Sequence, residues 1–137
     1  MRTPIRRRFL LLPFCTALLA GGLTLAAAAA SDATQKFPDV LSATVQPRGG
    51  DVFDFDVTIS SPYDTPARYA DAFRVTGPGG KVLGERVLWH DHASEQPFTR
   101  DLHGVKVPAG ILSVRIQGRD KLYGWGGKTI DVKLPGR

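Results

Sequence analysis

Apolar and polar residues alternate in the rhythm of a β-strand along most of this chain. From Asp51 to Ser60, Phe53, Phe55, Val57 and Ile59 fall on one side, and Asp54, Asp56, Thr58 and Ser60 on the other. That period of two predicts a half-buried strand. Val105-Lys106-Val107, Ile111 to Gln117 and Ile130 to Leu134 repeat the pattern, each with one apolar face. Between them stand turn signals: Pro47-Arg48-Gly49-Gly50, Ser61-Pro62-Tyr63-Asp64, Gly77-Pro78-Gly79-Gly80, Pro108-Ala109-Gly110 and Gly124-Trp125-Gly126-Gly127. Gly79-Gly80 is a hairpin signal, because glycine tolerates the positive φ of a tight turn. Seven strands are predicted, at 39–46, 51–60, 70–77, 81–90, 97–104, 111–119 and 128–134. Helix is limited to at most a turn near Thr65 to Ala72. Short strands at this spacing predict an all-β, seven-stranded antiparallel sandwich of immunoglobulin or fibronectin type III kind, with a small closed barrel as the alternative.

The first thirty residues break the pattern. Arg2, Arg6, Arg7 and Arg8 precede an apolar run from Phe9 to Leu25, and a small-residue tract, Ala26 to Ala30, follows. These are the three regions of a cleavable secretory signal, with cleavage expected after Ala30. A membrane anchor is the competing reading. The run is shorter than the ~20 residues a spanning helix needs, and Pro13 and Gly21-Gly22 interrupt it. Arg6-Arg7-Arg8 also reads as a twin-arginine signal beside the general secretory one. Cys15 lacks the small preceding residue of a lipoprotein signal, so lipidation is not expected. The expected product is a periplasmic or secreted monomer, residues 31–137, with one domain and no membrane span.

Removing this segment changes the charge. The chain has 18 Lys and Arg against 13 Asp and Glu, and four of those bases lie in the leader, leaving fourteen against thirteen. A near-neutral domain carries no nucleic-acid or anionic-membrane footprint. Residues 31–137 also hold no cysteine, which excludes disulfides, thiol catalysis and iron–sulfur clusters and leaves stability to a hydrophobic core.

Three groups are candidates for chemistry. His90-Asp91-His92 with Glu95 is the first: if His90 belongs to the strand, two imidazoles share a side, and His103 supplies a third nitrogen if 91–97 is a hairpin. Imidazoles and a carboxylate without thiolate suit copper or zinc. The plainer and favoured reading is a solvated or loop-bonded pair, since His-x-His is a weak pattern. Glu95 and Arg100 are the second, a charge-assisted fork that holds a ligand carboxylate or, as the favoured alternative, pins the loop's own side chains. Tyr123 and Trp125, in the expected connection between the last two strands, form the third, with Trp89 beside His90. Each tryptophan is read either as a stacking platform or as a lid on the core. No serine lies in a Gly-x-Ser-x-Gly elbow, no glycine loop leads into a helix to cradle phosphate, and Asp51 projects away from Asp54 and Asp56, against a shared calcium ion.

Tyr69-Ala70-Asp71-Ala72-Phe73, Val82 to Leu88, His90-Asp91-His92, Glu95-Gln96-Pro97-Phe98-Thr99-Arg100 and Gly124-Trp125-Gly126-Gly127 together resemble a family of small exported bacterial proteins of unassigned function. The resemblance implies export and a single immunoglobulin-like domain, and supplies no activity. The expectation is therefore a non-enzymatic binding module at one sheet end, taking a copper or zinc ion, a small anion or an envelope protein. The alternative is an accessory subunit of an envelope complex without metal.

Overall fold

The computed structural model describes residues 35–137. The predicted leader, residues 1–30, lies outside them. Seven strands follow in order: β1 (Asp39–Gly49), β2 (Val52–Ser60), β3 (Ala70–Thr76), β4 (Val82–Val87), β5 (Phe98–Lys106), β6 (Ser113–Asp120) and β7 (Gly124–Lys133). They form two antiparallel sheets, one ordered β1-β2-β5 and the other β4-β3-β6-β7. A single 3-10 turn, Pro78–Gly80, is the helical element among the described residues.

The alternation seen in β2 builds the core. Phe53, Phe55, Val57 and Ile59 are 4% exposed or less, and they pack with Phe73, Val75, Phe98, Val105, Val114 and Ile116 in one cluster between the sheets. Each such side chain contributes roughly 1.5–3 kcal/mol of hydrophobic stabilisation. The hairpin β3–β4 turns through Gly79 at φ 71 and Gly80 at φ 77, the left-handed backbone expected of those glycines.

Two predictions need correction. Segment 88–97 is not a hairpin: it joins β4 of the four-stranded sheet to β5 of the three-stranded one. Gly124-Trp125-Gly126-Gly127 is not a connection either, because β7 begins at Gly124 and pairs there with Asp120. Those glycines admit a close approach. A Cβ on Gly126 would stand 2.5 Å from the Phe37 ring, one on Gly118 would stand 2.6 Å from Pro38, and one on Gly127 would collide with the Pro38 carbonyl. Phe37-Pro38 is thus seated on β6 and β7 as the chain enters β1, and Pro38 is fully buried.

Strand direction sorts the connections into two ends. The entry end holds residues 35–38, 61–69, 88–97 and 121–123; the turn end holds 50–51, 77–81, 107–112 and 134–137.

Candidate functional site

Two buried carboxylates organise the entry end. Asp64 is 5% exposed and accepts hydrogen bonds from the Ala70 amide at 3.1 Å and the His92 amide at 3.0 Å. It thereby ties the β2–β3 loop, the start of β3 and the 88–97 crossover together. Gln96 reinforces this tie, accepting from the Ser61 amide at 2.7 Å and donating to the His92 carbonyl at 3.1 Å. Asp120 is 1% exposed and accepts from the amides of Leu122 and Tyr123, both at 2.9 Å, and from Arg68 Nε at 3.1 Å. Arg68 also donates to the Lys36 carbonyl and lies over the rings of Tyr63, at 4.1 Å, and Tyr123, at 4.9 Å. A buried charge is tolerated only when paired or fully hydrogen-bonded. Both acids meet that condition by holding backbone amides that lie outside the β-ladders.

The electrostatics follow from burial. Desolvation raises the Asp64 pKa against the pull of its hydrogen bonds. Burial, and then the adjacent Asp120 carboxylate, push the Tyr63 phenol far above its ordinary range.

On this scaffold Trp89 is 83% exposed, Leu122 64% and Tyr123 53%. The Tyr69 hydroxyl donates to the Trp89 carbonyl at 3.3 Å, and Lys121 Nζ lies 4.8 Å from the Tyr69 ring, so the largely buried Tyr69 links the Trp89 backbone to the residue that opens the β6–β7 tip. Lys36 Nζ sits 4.5 Å from the Tyr123 ring.

His90 and His92 lie beside each other past the end of β4, with ring centroids 4.8 Å apart. His90 is exposed, and its Nδ1 lies 2.8 Å from the Asp91 carbonyl. His92 is 3% exposed and stacked on Phe98 at 3.9 Å, and its Nδ1 is buried without a hydrogen-bond partner. Burial, and then the Arg100 charge, hold the His92 pKa below its ordinary value. Glu95 accepts from Arg100 at 2.8 Å, the internal fork that pins the loop, and that contact lowers the Glu95 pKa.

The expected metal quartet does not assemble. His103 was to come alongside through a hairpin, but the crossover sends β5 into the other sheet, where His103 sits 3.0 Å from Asp54 and 2.6 Å from Asp101. Hydrogen bonding to Asp54 raises its pKa. Asp54 itself is lowered to about 2, first by the Gly104 amide and then by Arg48. Among the described residues, no three His, Cys, Asp or Glu side chains stand close enough to share a metal ion.

Trp125 also departs from expectation. It is half-buried on β7, with the Arg74 guanidinium 4.1 Å and the Arg119 guanidinium 5.3 Å from its ring. Arg119 is held in turn by Asp71 at 2.7 Å, so the indole is packed into a sheet face rather than displayed on a loop. Tyr123, two residues earlier, is the exposed ring.

Asp64, Asp120, Arg68 and Tyr63 were not anticipated as organisers of this end. Asp64 closes the Ser-Pro-Tyr-Asp turn signal, and Asp120 precedes a three-residue tip whose amides it caps, as aspartates in turns often do. The turn chemistry was readable; that both acids would be buried was not.

The chain is similar to a protein of Halomicrobium mukohataei named "Putative lipoprotein", with 37% identity over 94 residues. The match covers 69% of this chain and 46% of that protein, so the chain spans about half the length of the curated relative it matches. No protein-family model matches the chain. No solved structure matches it. Among the described residues, no helix is long and apolar enough to cross a membrane.

Proposed function

We propose that this chain is an exported, non-catalytic binding module whose working surface is the entry end and whose partner is another protein of the cell envelope. The observation that carries this reading is the exposure of three large apolar side chains at this end, Trp89, Leu122 and Tyr123, beside backbone held by Asp64 and Asp120. Large aromatics anchor protein interfaces. Loops fixed in advance lose less entropy on binding.

Three further points support the reading. The strand order β1-β2-β5 against β4-β3-β6-β7 moves the fourth strand beside the third, away from its place in an immunoglobulin constant domain, and fits the fibronectin type III member of the expected pair. The arginine-led apolar leader and the similarity to a protein named as a lipoprotein favour export, through the general secretory or twin-arginine route, to the periplasm or beyond. The conspicuous acids are already engaged: Asp64 and Asp120 by amides, Glu95 by Arg100, and Asp54 by Arg48 and the Gly104 amide. The copper or zinc reading keeps only the His90–His92 pair.

Site-specific photo-crosslinking in cells making the full chain tests the surface. An aromatic photo-probe at position 89, which keeps a ring there, and a probe at 122 are expected to yield one adduct of defined mass, and probes at the turn-end positions 82 and 112 none. Equal adducts from both ends, or adducts from 82 and 112 alone, contradict the proposal.

A further inference from the structure

Beside the exposed indole, the end of β4, the crossover and the start of β5 form a half-open pocket of about 80 Å3, whose lining includes Arg86, Leu88, Trp89, His90, His92 and Arg100. Two arginines and two histidines line a space of this size. Carboxylates partner its charged lining residues: Asp101 lies 3.6 Å from Arg86, Glu95 is bonded to Arg100, and Asp91, between the two histidines, accepts from the Ala93 amide. Asp64 lies behind, with both oxygens already accepting amides.

We infer that this cavity binds a carboxylate group, with Trp89 packing against the apolar or aromatic body that bears it. The inference rests on the entry end being the working surface. The orphaned His92 nitrogen is the first ground. A buried polar group without a partner costs about 1–3 kcal/mol, and His92 belongs to the lining of this pocket, where a ligand that reaches Nδ1 recovers that cost. The lining charge is the second. Arg86 and Arg100 attract an anion, and the guanidinium that opposes a proton on His92 opposes a metal ion for the same reason. Arg86 is held only by a 3.6 Å, partly exposed contact with Asp101, weak enough to give way to a ligand. Size is the third. The space suits a carboxylate-sized group and leaves the rest of the molecule on the 83% exposed face of Trp89. That carboxylate comes either from a free organic acid or from the C-terminus of a partner chain ending in an apolar residue.

The test is titration of residues 31–137, which contain the whole sandwich, with four probes: phenylacetate, phenylacetamide, a short peptide ending in Phe with a free carboxylate, and its C-terminal amide. Imidazole nitrogen resonances of His92 and the emission of Trp89 report binding. Both carboxylates are expected to shift the His92 resonances saturably, while both neutral analogues leave them unmoved. Arg86→Gln and Trp89→Ala should each weaken binding about tenfold, the worth of one charge-assisted contact or aromatic anchor. His92→Phe, which keeps the stack on Phe98, should abolish tight binding without unfolding the sandwich. A tighter peptide assigns the carboxylate to a partner's C-terminus, and a tighter phenylacetate assigns it to a free acid. Equal response to the neutral analogues, no response to any probe, or one-to-one Zn²⁺ binding lost in His92→Phe overturns the inference. If crosslinking at 89 persists in that case, the binding surface stands and only the carboxylate falls.

Discussion

The two ends of this sandwich are closed by opposite chemistry. At the entry end, buried carboxylates accept backbone amides: Asp64 takes Ala70 and His92, and Asp120 takes Leu122 and Tyr123. At the turn end one cation donates to backbone carbonyls. Arg137 reaches Pro108, Ile111 and Val107 at 2.7 to 2.9 Å and also pairs with Asp51 at 2.8 Å. The turn end also holds the larger cavity, about 360 Å3, yet its walls are largely the β3–β4 turn backbone, with Arg115 and Asp131 satisfying each other at 2.7 Å. The entry end has the smaller space, beside an unsatisfied nitrogen and an exposed indole. On the proposed reading, the unsatisfied nitrogen rather than the volume singles out the entry end as the binding surface.

The sharpest way to break the comparison is Asp120→Ala. It strips Arg68 and two amides of their acceptor and should cost about 3 kcal/mol in chemical denaturation, with the 121–123 tip loosened. Gly126→Ala comes next. Its methyl group needs the place of the Phe37 ring, so a loss of about 1–3 kcal/mol is expected, with Phe37 displaced in NMR spectra. Arg137→Ala should cost about 1–2 kcal/mol and leave the entry end untouched, because it takes a donor from the part-buried Ile111 and Val107 carbonyls at the opposite end. Trp89→Ala should change stability by less than about 0.5 kcal/mol while removing the crosslink from a probe at position 122, which separates binding from folding.

The smallest effect is on pH dependence, where the two ring environments act in opposite directions. The native pKa of His92 is depressed, so its contribution is present above the unfolded value and is lost as pH falls toward the native one. The native pKa of His103 is raised by Asp54, so its contribution is present below the unfolded value and is lost as pH rises through the native one. NMR titration should place the His103 midpoint above, and the His92 midpoint below, that of an unfolded histidine.

The strands were legible because their sides face such different surroundings. Phe53 to Ile59 alternate between core and solvent, and every predicted strand is present within a few residues of its expected limits. Connections were harder, because sequence does not say whether a turn returns to the same sheet or crosses to the other. That ambiguity placed His103 beside His92 when the crossover at 88–97 carries it away. Gly124 to Gly127 misled for a related reason. Three glycines suggest a loop, and here two of them sit in a strand to admit Phe37 and Pro38, a partner nearly ninety residues distant. The pairing of Glu95 with Arg100 was readable because the two lie five residues apart, across the step from the crossover into β5.

Amide hydrogen exchange tests the central claim most directly, namely that the entry end is held rigid by its buried acids. The amides of Ala70, His92, Leu122 and Tyr123, each bonded to Asp64 or Asp120, should exchange as slowly as amides in the ladders of β3 and β6. Exchange of these four at the rate of exposed turn amides such as Gly79 and Gly110 would mean that the loops are not preformed, and would contradict the account.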